Sequence, residues 1–184
     1  IPRKAAIVTR LSRPALPPRA VAKCDGILYG LDLRDPIQRE IYFDVYENRD
    51  IRRVLRLVRP GGVYFDVGAN IGFFALHFAK FTGARGAVHA FEADPAVFAR
   101  CRENIRRNGF DRVATAWNVA VTNRRGRLRF FRGAERNSGV GSLTRFRDNA
   151  RGASIAVRAT TLDAFVASRR IDRVDMMKID VEAG

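Results

Sequence analysis

The most constraining feature of the chain is a short glycine-containing segment between a predicted strand and a predicted helix. Val63–Val67 is an apolar run preceded by two glycines, a pattern typical of a buried parallel strand. The segment DVGANIG follows at residues 66–72, and the apolar stretch 71–81 predicts a helix that stops near Gly83. A strand, a glycine turn and a helix form the first part of a βα unit, so the pattern predicts an α/β fold.

Strand and helix patterns continue to alternate on both sides of this segment. Asp94 and Pro95 have the residue types of a helix cap and a first helical position, and Asn108-Gly109 is typical of a helix end. The remaining predictions are helices over 48–59 and 161–168 and strands over 87–91, 113–117 and 173–181. This alternation predicts an open, mostly parallel, doubly wound sheet with right-handed crossovers.

The length of 184 residues suits one main domain. We expect a basic, proline-rich arm over residues 1–24, which contains six basic and no acidic side chains, and the domain proper over 25–184. Within it, residues 123–160 are rich in arginine and are interpreted as an insertion with strands over 127–131 and 155–158. Because the last predicted strand ends with the chain, we expect C-terminal strands to be missing.

Composition excludes several classes of protein. Two cysteines are too few for a disulfide scaffold or a four-cysteine zinc site, so we expect no metal, reduced thiols and a cytoplasmic location. A membrane span needs a run of about 18 uncharged apolar residues, and the sequence contains none. The net charge of +15 would attract anionic partners, but most of the basic residues are arginines, which indicates a coding bias. We regard nucleic acid as an unlikely partner, and the oligomeric state is not predictable.

The glycine segment has the properties of a ligand-binding turn. Gly68 lets a ligand approach the backbone, Asn70 tolerates a left-handed conformation, and Gly72 permits close helix packing. Helix N-termini favour an anion such as a carboxylate or a phosphate. Glu92 follows the next predicted strand, 24 residues after Gly68, where a doubly wound fold binds ribose hydroxyls.

The charge of the segment discriminates between two cofactor classes. A nicotinamide fingerprint has three glycines as G-x-G-x-x-G, whereas this chain has G-x-N-x-G with Asp66 two residues before the first glycine. A carboxylate at that position repels a pyrophosphate and suits an ammonium and a sulfonium group. Further acids follow the predicted strand ends, namely Glu92, Asp94, Asp180 and Glu182. These features favour S-adenosylmethionine, with a nicotinamide dehydrogenase as a distant alternative.

Several motifs occur together in one order. They are FDVGANIGFF at 65–74, AFEADP at 90–95, TLD at 161–163 and KIDVE at 178–182, together with the segments 118–121 and 139–143. In this combination the chain resembles the FkbM family of S-adenosylmethionine-dependent methyltransferases over roughly residues 27–184. The resemblance implies a Rossmann-like sheet and O-methylation of hydroxyls on sugars or natural products such as macrolides. The family usually continues KIDVEG-A-E, whereas this chain ends at Ala183-Gly184.

The resemblance also implies roles for individual residues. Glu92 would bind the ribose, and Asp180 would lie where cofactor and acceptor meet. The other implied cofactor residues are Asp66, Gly68, Ala69, Asn70 and Gly72 at the methionine end, and Ala93, Asp94 and Asn118 near the adenine.

Methyl transfer to a hydroxyl is helped by a general base, and Asp180 is the candidate. Lys178 lies on the same face of the strand as Asp180 because side chains alternate along a strand, and a purely structural Lys178–Asp180 pair is the alternative.

The acceptor is expected to be a small-molecule or glycan hydroxyl, with an anionic acceptor left open by the arginines of 123–158. A nucleic-acid methyltransferase and a non-catalytic, truncated module remain alternative functions. His77, His89 and Trp117 are expected to have packing roles.

Overall fold

The computed structural model describes residues 16–132, 141–144 and 153–181. Its strands are β1 (Arg19–Cys24), β2 (Ile27–Asp32), β3 (Val63–Val67), β4 (Ala87–Glu92), β5 (Ala114–Asn118), β6 (Ala120–Val121), β7 (Gly126–Phe131), β8 (Ser154–Thr160) and β9 (Met176–Ile179). Its helices are α1 (Pro36–Tyr42), α2 (Asn48–Leu55), α3 (Phe73–Thr82), α4 (Pro95–Arg107) and α5 (Leu162–Arg169).

The central sheet has the strand order β5-β4-β3-β9, and every neighbouring pair is parallel. Its register places Asp66 between Ala90 of β4 and Lys178 of β9. The prediction of an α/β fold with a mostly parallel, Rossmann-like sheet is therefore confirmed. The predicted strand over 173–181 is shorter in the structure, Met176–Ile179.

Helices cover both faces of this sheet. On β3, Tyr64 packs towards α3, with its ring 5.4 Å from that of Phe78, and the next residue, Phe65, packs towards α5, 5.8 Å from Phe165. Successive side chains of a strand point to opposite faces, so β3 presents apolar side chains to both layers of helices, and Asp66 is its one charged residue. The two apolar clusters on either side of the sheet fix its position in the domain.

The predicted cap of α4 is present. Asp94 accepts hydrogen bonds from the backbone N–H groups of Ala96 and Val97 at 2.8 and 3.5 Å, and α4 ends before Gly109, whose φ is +68°. Thr161 caps α5 by accepting from Ala164 N at 3.1 Å. The helix predicted over 48–59 ends earlier, at Leu55.

The structure corrects the predicted arm over residues 1–24. Residues 19–24 form β1, which pairs antiparallel with β2 and ends at the buried Cys24. The two strands meet at Asp25-Gly26, both with positive φ, and an Asp-Gly pair is a common two-residue hairpin turn. Residues 1–15 lie outside the described part of the chain, and the domain assignment of 25–184 stays a prediction.

The arginine-rich region contributes two strands to a separate three-stranded sheet, called here the inserted sheet, with the strand order β6-β8-β7. The two predicted strands are present as β7 and β8, which pair antiparallel from Gly126 opposite Ala159 to Phe131 opposite Ser154. β6 continues from β5 and pairs parallel with β8. Along β7 only Phe130 is buried, whereas Arg127 and Arg129 are exposed.

The aromatic and imidazole side chains predicted to pack do so. Trp117 donates its indole N–H to His89 Nδ1 at 3.2 Å, and the Arg169 guanidinium lies 4.1 Å from the Trp117 ring centre. His77 is buried within α3 and contacts Phe73 O and Tyr29.

No helix of the described residues has the length and apolar character needed to cross a membrane. The same residues contain no group of three or more His, Cys, Asp or Glu placed to hold a metal ion.

Candidate functional site

A cleft with about 1180 Å³ of empty space opens at the carboxyl ends of β3 and β4. Open parallel sheets bind their ligands at this edge. Five groups of residues line the cleft: Gly68–Ile71 after β3, Glu92 and Ala93 after β4, Val119–Val121 after β5, Phe130 with Gly141–Leu143 from the inserted region, and Lys178, Asp180 and Val181 from β9 and beyond. The wall is completed by Ile37, Ile41, Tyr46, Val67, Phe73, Phe74 and Phe91.

The glycine turn is held in one shape by hydrogen bonds to β4. Phe91 O accepts from the N–H groups of Gly68 and Ala69 at 3.0 and 2.9 Å. Gly68 has a φ of +77°, and a side chain at this position would overlap the carbonyl oxygen of Asp180. Gly68 therefore permits both the turn and the close passage of the chain after β9.

Asp66 lies beneath the turn and not in the cleft wall. It is fully buried, and its Oδ2 accepts from Ala75 N, in the first turn of α3, at 2.9 Å. Lys178 Nζ lies 3.5 Å from its Oδ1. Burial raises the pKa of the Asp66 carboxyl, and Lys178 opposes that shift. In the structure Asp66 fixes the start of α3 and the position of Lys178.

Lys178 connects three parts of the site. Its Nζ donates to Gly68 O at 3.3 Å, lies 3.3 Å from Asp180 Oδ2 and stands 5.0 Å from the Phe74 ring centre. The side chain of Asp180 is 61% exposed, whereas that of Lys178 is 18% exposed. The Lys178–Asp180 pair expected as the structural alternative is therefore present, and Asp66 is a third member of it.

Glu92 is the acid that faces the cleft after β4. Its Oε2 accepts from Asn70 N at 2.9 Å and its Oε1 from Asp94 N at 2.8 Å. Burial raises the pKa of Glu92 to about 7, although both backbone N–H groups stabilise the charged form. Glu92 thus links the glycine turn to the start of α4, with a charge that changes near neutral pH.

The remaining predicted cofactor residues lie around this centre. Ala69, Asn70 and Ala93 line the cleft, whereas Gly72, Asp94 and Asn118 support it from outside. Asn118 Nδ2 donates to the carbonyl oxygens of Glu92 and Ala93 at 2.9 and 3.0 Å, so it holds the chain after β4. Glu182 lies outside the described residues.

Sequence reasoning missed the contribution of two regions to the cleft. Ile37, Ile41 and Tyr46 come from α1 and the chain that follows it, and Phe130 comes from the inserted sheet. The spacing of Ile37 and Ile41, four residues apart after a proline, is a helical signal that was available. No comparable signal indicated that Phe130 faces a ligand cleft.

The parallel sheet, the glycine turn after β3 and the cleft-facing acid at the end of β4 define a class of protein: a Rossmann-like, S-adenosylmethionine-dependent methyltransferase. The model of the methyltransferase FkbM domain matches residues 66–184, which is more than half of the chain. The chain therefore belongs to the FkbM methyltransferase family.

Two curated relatives share part of the sequence. The chain is 44% identical over 68 residues to 31-O-demethyl-FK506 methyltransferase FkbM of Streptomyces tacrolimicus, a match that covers 37% of this chain and 26% of the relative. It is 35% identical over 80 residues to 2-O-methyltransferase NoeI of Sinorhizobium fredii, covering 43% and 31% respectively. The matched region thus spans about a quarter to a third of the length of these relatives.

Solved structures of similar shape include a transferase from Pyrococcus horikoshii, with 26% identity, a TM-score of 0.47 and coverage of 56% of this chain and 37% of the other. A second is a SAM-dependent methyltransferase from Aquifex aeolicus, with 26% identity, a TM-score of 0.32 and coverage of 35% of each chain.

Proposed function

We propose that the protein transfers the methyl group of S-adenosylmethionine to a hydroxyl oxygen of a sugar, a glycan or a secondary metabolite. The observation that carries this proposal is the position of Glu92, a cleft-facing acid bonded to the glycine turn at the ends of two adjacent parallel strands. This arrangement suits a ligand that has a ribose and a charged amino-acid end.

The cofactor roles follow the wall of the cleft. Glu92 accepts hydrogen bonds from the ribose hydroxyls, and Ala93 lies against the adenine. The backbone of Gly68, Ala69 and Asn70 surrounds the methionine end. Asp66, Gly72, Asp94 and Asn118 act from beneath these residues, because each holds a backbone segment of the wall in place.

In the proposed reaction the acceptor oxygen attacks the methyl carbon of the sulfonium. The new O–C bond forms as the S–C bond breaks, the bonding pair stays on sulfur, and S-adenosylhomocysteine leaves as the product. The hydroxyl proton passes to the Asp180 carboxylate, which lines the cleft and is the general base. The chain mainly has to align the two reactants in this cleft.

Lys178 orients this base. Its ammonium group lies between Asp66 and Asp180, at 3.5 and 3.3 Å, so it offsets part of their negative charge and fixes the Asp180 side chain beside Gly68. We therefore assign Asp180 to proton removal and Lys178 to its positioning.

The charge of the cleft bears on the class of acceptor. Lys178 is the only basic side chain among the described residues that line the cleft, and two carboxylates already pair with it. The described wall thus offers little to a phosphate, in spite of the net charge of +15. Two O-methyltransferases among the relatives support a hydroxyl acceptor. A neutral hydroxyl compound is favoured over an anionic one or a nucleic acid.

The first experiment is a calorimetric titration of S-adenosylhomocysteine into the wild-type chain, Glu92→Gln and the control Glu103→Gln. Glu103 is a half-exposed acid of α4 that pairs with Arg106 and Arg107 of the same helix and does not line the cleft. We expect micromolar binding by the wild type and the control, and at least tenfold weaker binding by Glu92→Gln. Equal affinities in all three proteins would contradict the assignment of Glu92.

A second experiment tests the reaction. Transfer of labelled methyl groups to a panel of glycans and polyketide alcohols should be lost in Asp180→Asn, while S-adenosylhomocysteine affinity stays within about twofold of wild type. Binding without transfer to any acceptor would favour a non-catalytic module. A steep salt dependence of RNA binding would favour a nucleic-acid substrate.

A further inference from the structure

The inserted sheet supplies one wall of the cofactor cleft. Phe130 of β7, Ser142 and Leu143 line the cleft on the same side as Ala93. The segment 141–144 is held to β7 by two backbone hydrogen bonds between Phe131 and Ser142, at 2.7 and 3.0 Å. The position of β7 therefore determines the position of the whole wall.

Phe130 is the centre of this wall. It is 7% exposed and belongs to an apolar cluster with Ala120, Leu143 and Ala93. A side chain at Gly141 would overlap the Phe130 ring, so the ring lies directly against the backbone of that segment. Because Ala93 and Ala120 follow the ends of β4 and β5, this apolar surface faces the part of the cleft assigned above to the adenine.

One ion pair joins the inserted sheet to the segment after β4. Arg132 directly follows β7, and its Nη2 donates to Asp94 Oδ1 at 2.9 Å while its Nε lies 2.6 Å from Asp94 Oδ2. Asp94 is the cap of α4 and lies two residues after Glu92. The pair combines one charge-assisted hydrogen bond with a second close contact between opposite charges. It therefore connects the wall around Phe130 with the acid assigned to the ribose.

We propose that Arg132 is a positioning residue for cofactor binding: by holding Asp94, it fixes Phe130 and the segment 141–143 against the adenine base. The proposal rests on the function proposed above, because it assumes that the adenine occupies the space beside Ala93. It gives the inserted sheet a role in binding, and it assigns to Arg132 a role that the exposed arginines of β7 do not have.

The matched variants are Arg132→Met and Arg129→Met. Arg129 lies on β7, three residues before Arg132, and is exposed, so its replacement removes the same charge without touching Asp94. We expect Arg132→Met to raise the Kd for S-adenosylhomocysteine about tenfold and Arg129→Met to change it less than twofold. Urea denaturation of both variants shows whether they are equally folded.

A double-mutant cycle tests the pair itself. Asp94→Asn keeps a good helix cap and removes the charge that binds Arg132. If the two residues act together, the double variant binds as weakly as either single variant, whereas independent residues would give additive losses. Arg132→Lys should recover part of the affinity because a lysine keeps one charge-assisted contact.

A cofactor fragment separates positioning from general damage. We expect 5′-methylthioadenosine, which keeps the adenine and lacks the amino-acid end, to lose affinity by the same factor as S-adenosylhomocysteine in Arg132→Met. A loss confined to S-adenosylhomocysteine would overturn the proposal, as would wild-type affinity in Arg132→Met. Failure of the wild-type chain to bind S-adenosylhomocysteine would instead overturn the proposed function and this inference with it.

Discussion

The central parallel sheet and the inserted sheet meet at one cleft, but they are fixed in different ways. In β3, Tyr64, Phe65 and Val67 are at most 2% exposed, and apolar clusters cover both faces of the sheet. In β7 only Phe130 is buried, and the alternate residues face outward. The first sheet is held by its core, whereas the second is held by one apolar face and the Arg132–Asp94 pair.

This difference predicts that substitutions in the two sheets change different properties, stability in one and ligand binding in the other. Substitutions in the central sheet are expected to change the free energy of unfolding, since they remove packing on two sides. Substitutions in the inserted sheet are expected to change the cofactor Kd more than the stability, since fewer buried groups depend on them. Substitutions in both sheets test this division between stability and binding, and they are given in order of decreasing effect.

The largest effect is expected from Phe65→Ala, which removes a ring packed against Phe91 and Phe165. We expect it to lower the free energy of unfolding by about 4 kcal/mol. Phe130→Ala should cost about 2 kcal/mol, because its cluster is smaller, but should weaken S-adenosylhomocysteine binding. Urea denaturation measures both costs. Equal destabilisation by the two variants would contradict the proposed difference in stability between the two sheets.

A glycine pair isolates the close approach at the turn. Gly68→Ala places a Cβ onto the carbonyl of Asp180 at a positive φ, and we expect a loss of about 3 kcal/mol in unfolding free energy. Gly109→Ala has a similar φ, +68°, but nothing lies within 4 Å of the added Cβ, so about 1 kcal/mol is expected. If both variants lose the same unfolding free energy, the positive φ alone explains why residue 68 is a glycine.

The pH dependence of binding tests the acid in the central sheet. The pKa of Glu92 is raised to about 7, so its carboxylate is mostly protonated at pH 6 and mostly charged at pH 8. If ribose hydroxyls donate to the charged form, the Kd for S-adenosylhomocysteine should be about tenfold larger at pH 6 than at pH 8. Glu92→Gln should remove this difference, and calorimetry in buffers of differing ionisation heat should detect proton release.

The same group has the opposite effect on stability. Because the folded pKa of about 7 lies above the ordinary value of 4.5, the folded state binds the proton more tightly than the unfolded state between these values. Unfolding free energy should therefore rise, relative to Glu92→Gln, as the pH falls from about 7 towards 4.5. A rise in both proteins alike would assign the effect to other groups.

The smallest effect is expected from the cap of α5. Thr161→Ala removes the hydrogen bond from Ala164 N and should cost about 1 kcal/mol of unfolding free energy. None of the described cleft residues belongs to α5, so the Kd for S-adenosylhomocysteine should not change. A weaker affinity in this variant would show that stability and binding are coupled through the sheet.

Local patterns predicted the elements of the central sheet well. The strand of residues 63–67, the Asp94-Pro95 start of α4 and the helix over 161–168 were all predicted from residues close in sequence, and each is present, the last as α5 over Leu162–Arg169. The turn between β1 and β2 had an equally local signal in Asp25-Gly26, but the prolines and basic residues before it led to the prediction of an arm.

Contacts between distant segments were not predictable in the same way. The Asp66–Lys178 approach joins residues 112 positions apart, and the Arg132–Asp94 pair joins two separate sheets. Sequence indicated that Asp66 is important and placed it near the ligand, whereas the structure buries it beneath α3. A pattern reveals which residues are special, but the packing of the sheet decides which side of the turn they occupy.

The contact of Trp117 with His89 and Arg169 has an optical consequence. The chain has a single tryptophan, so its ultraviolet emission comes from one indole, at the end of β5 and against α5. Burial and Arg169 lower the pKa of His89, which favours the neutral imidazole that receives the indole N–H. On acidification we therefore expect the tryptophan emission to change with the protonation of His89, which follows the protonation of Glu92. In one unlabelled sample, tryptophan fluorescence therefore follows the protonation of His89, and calorimetry follows that of Glu92.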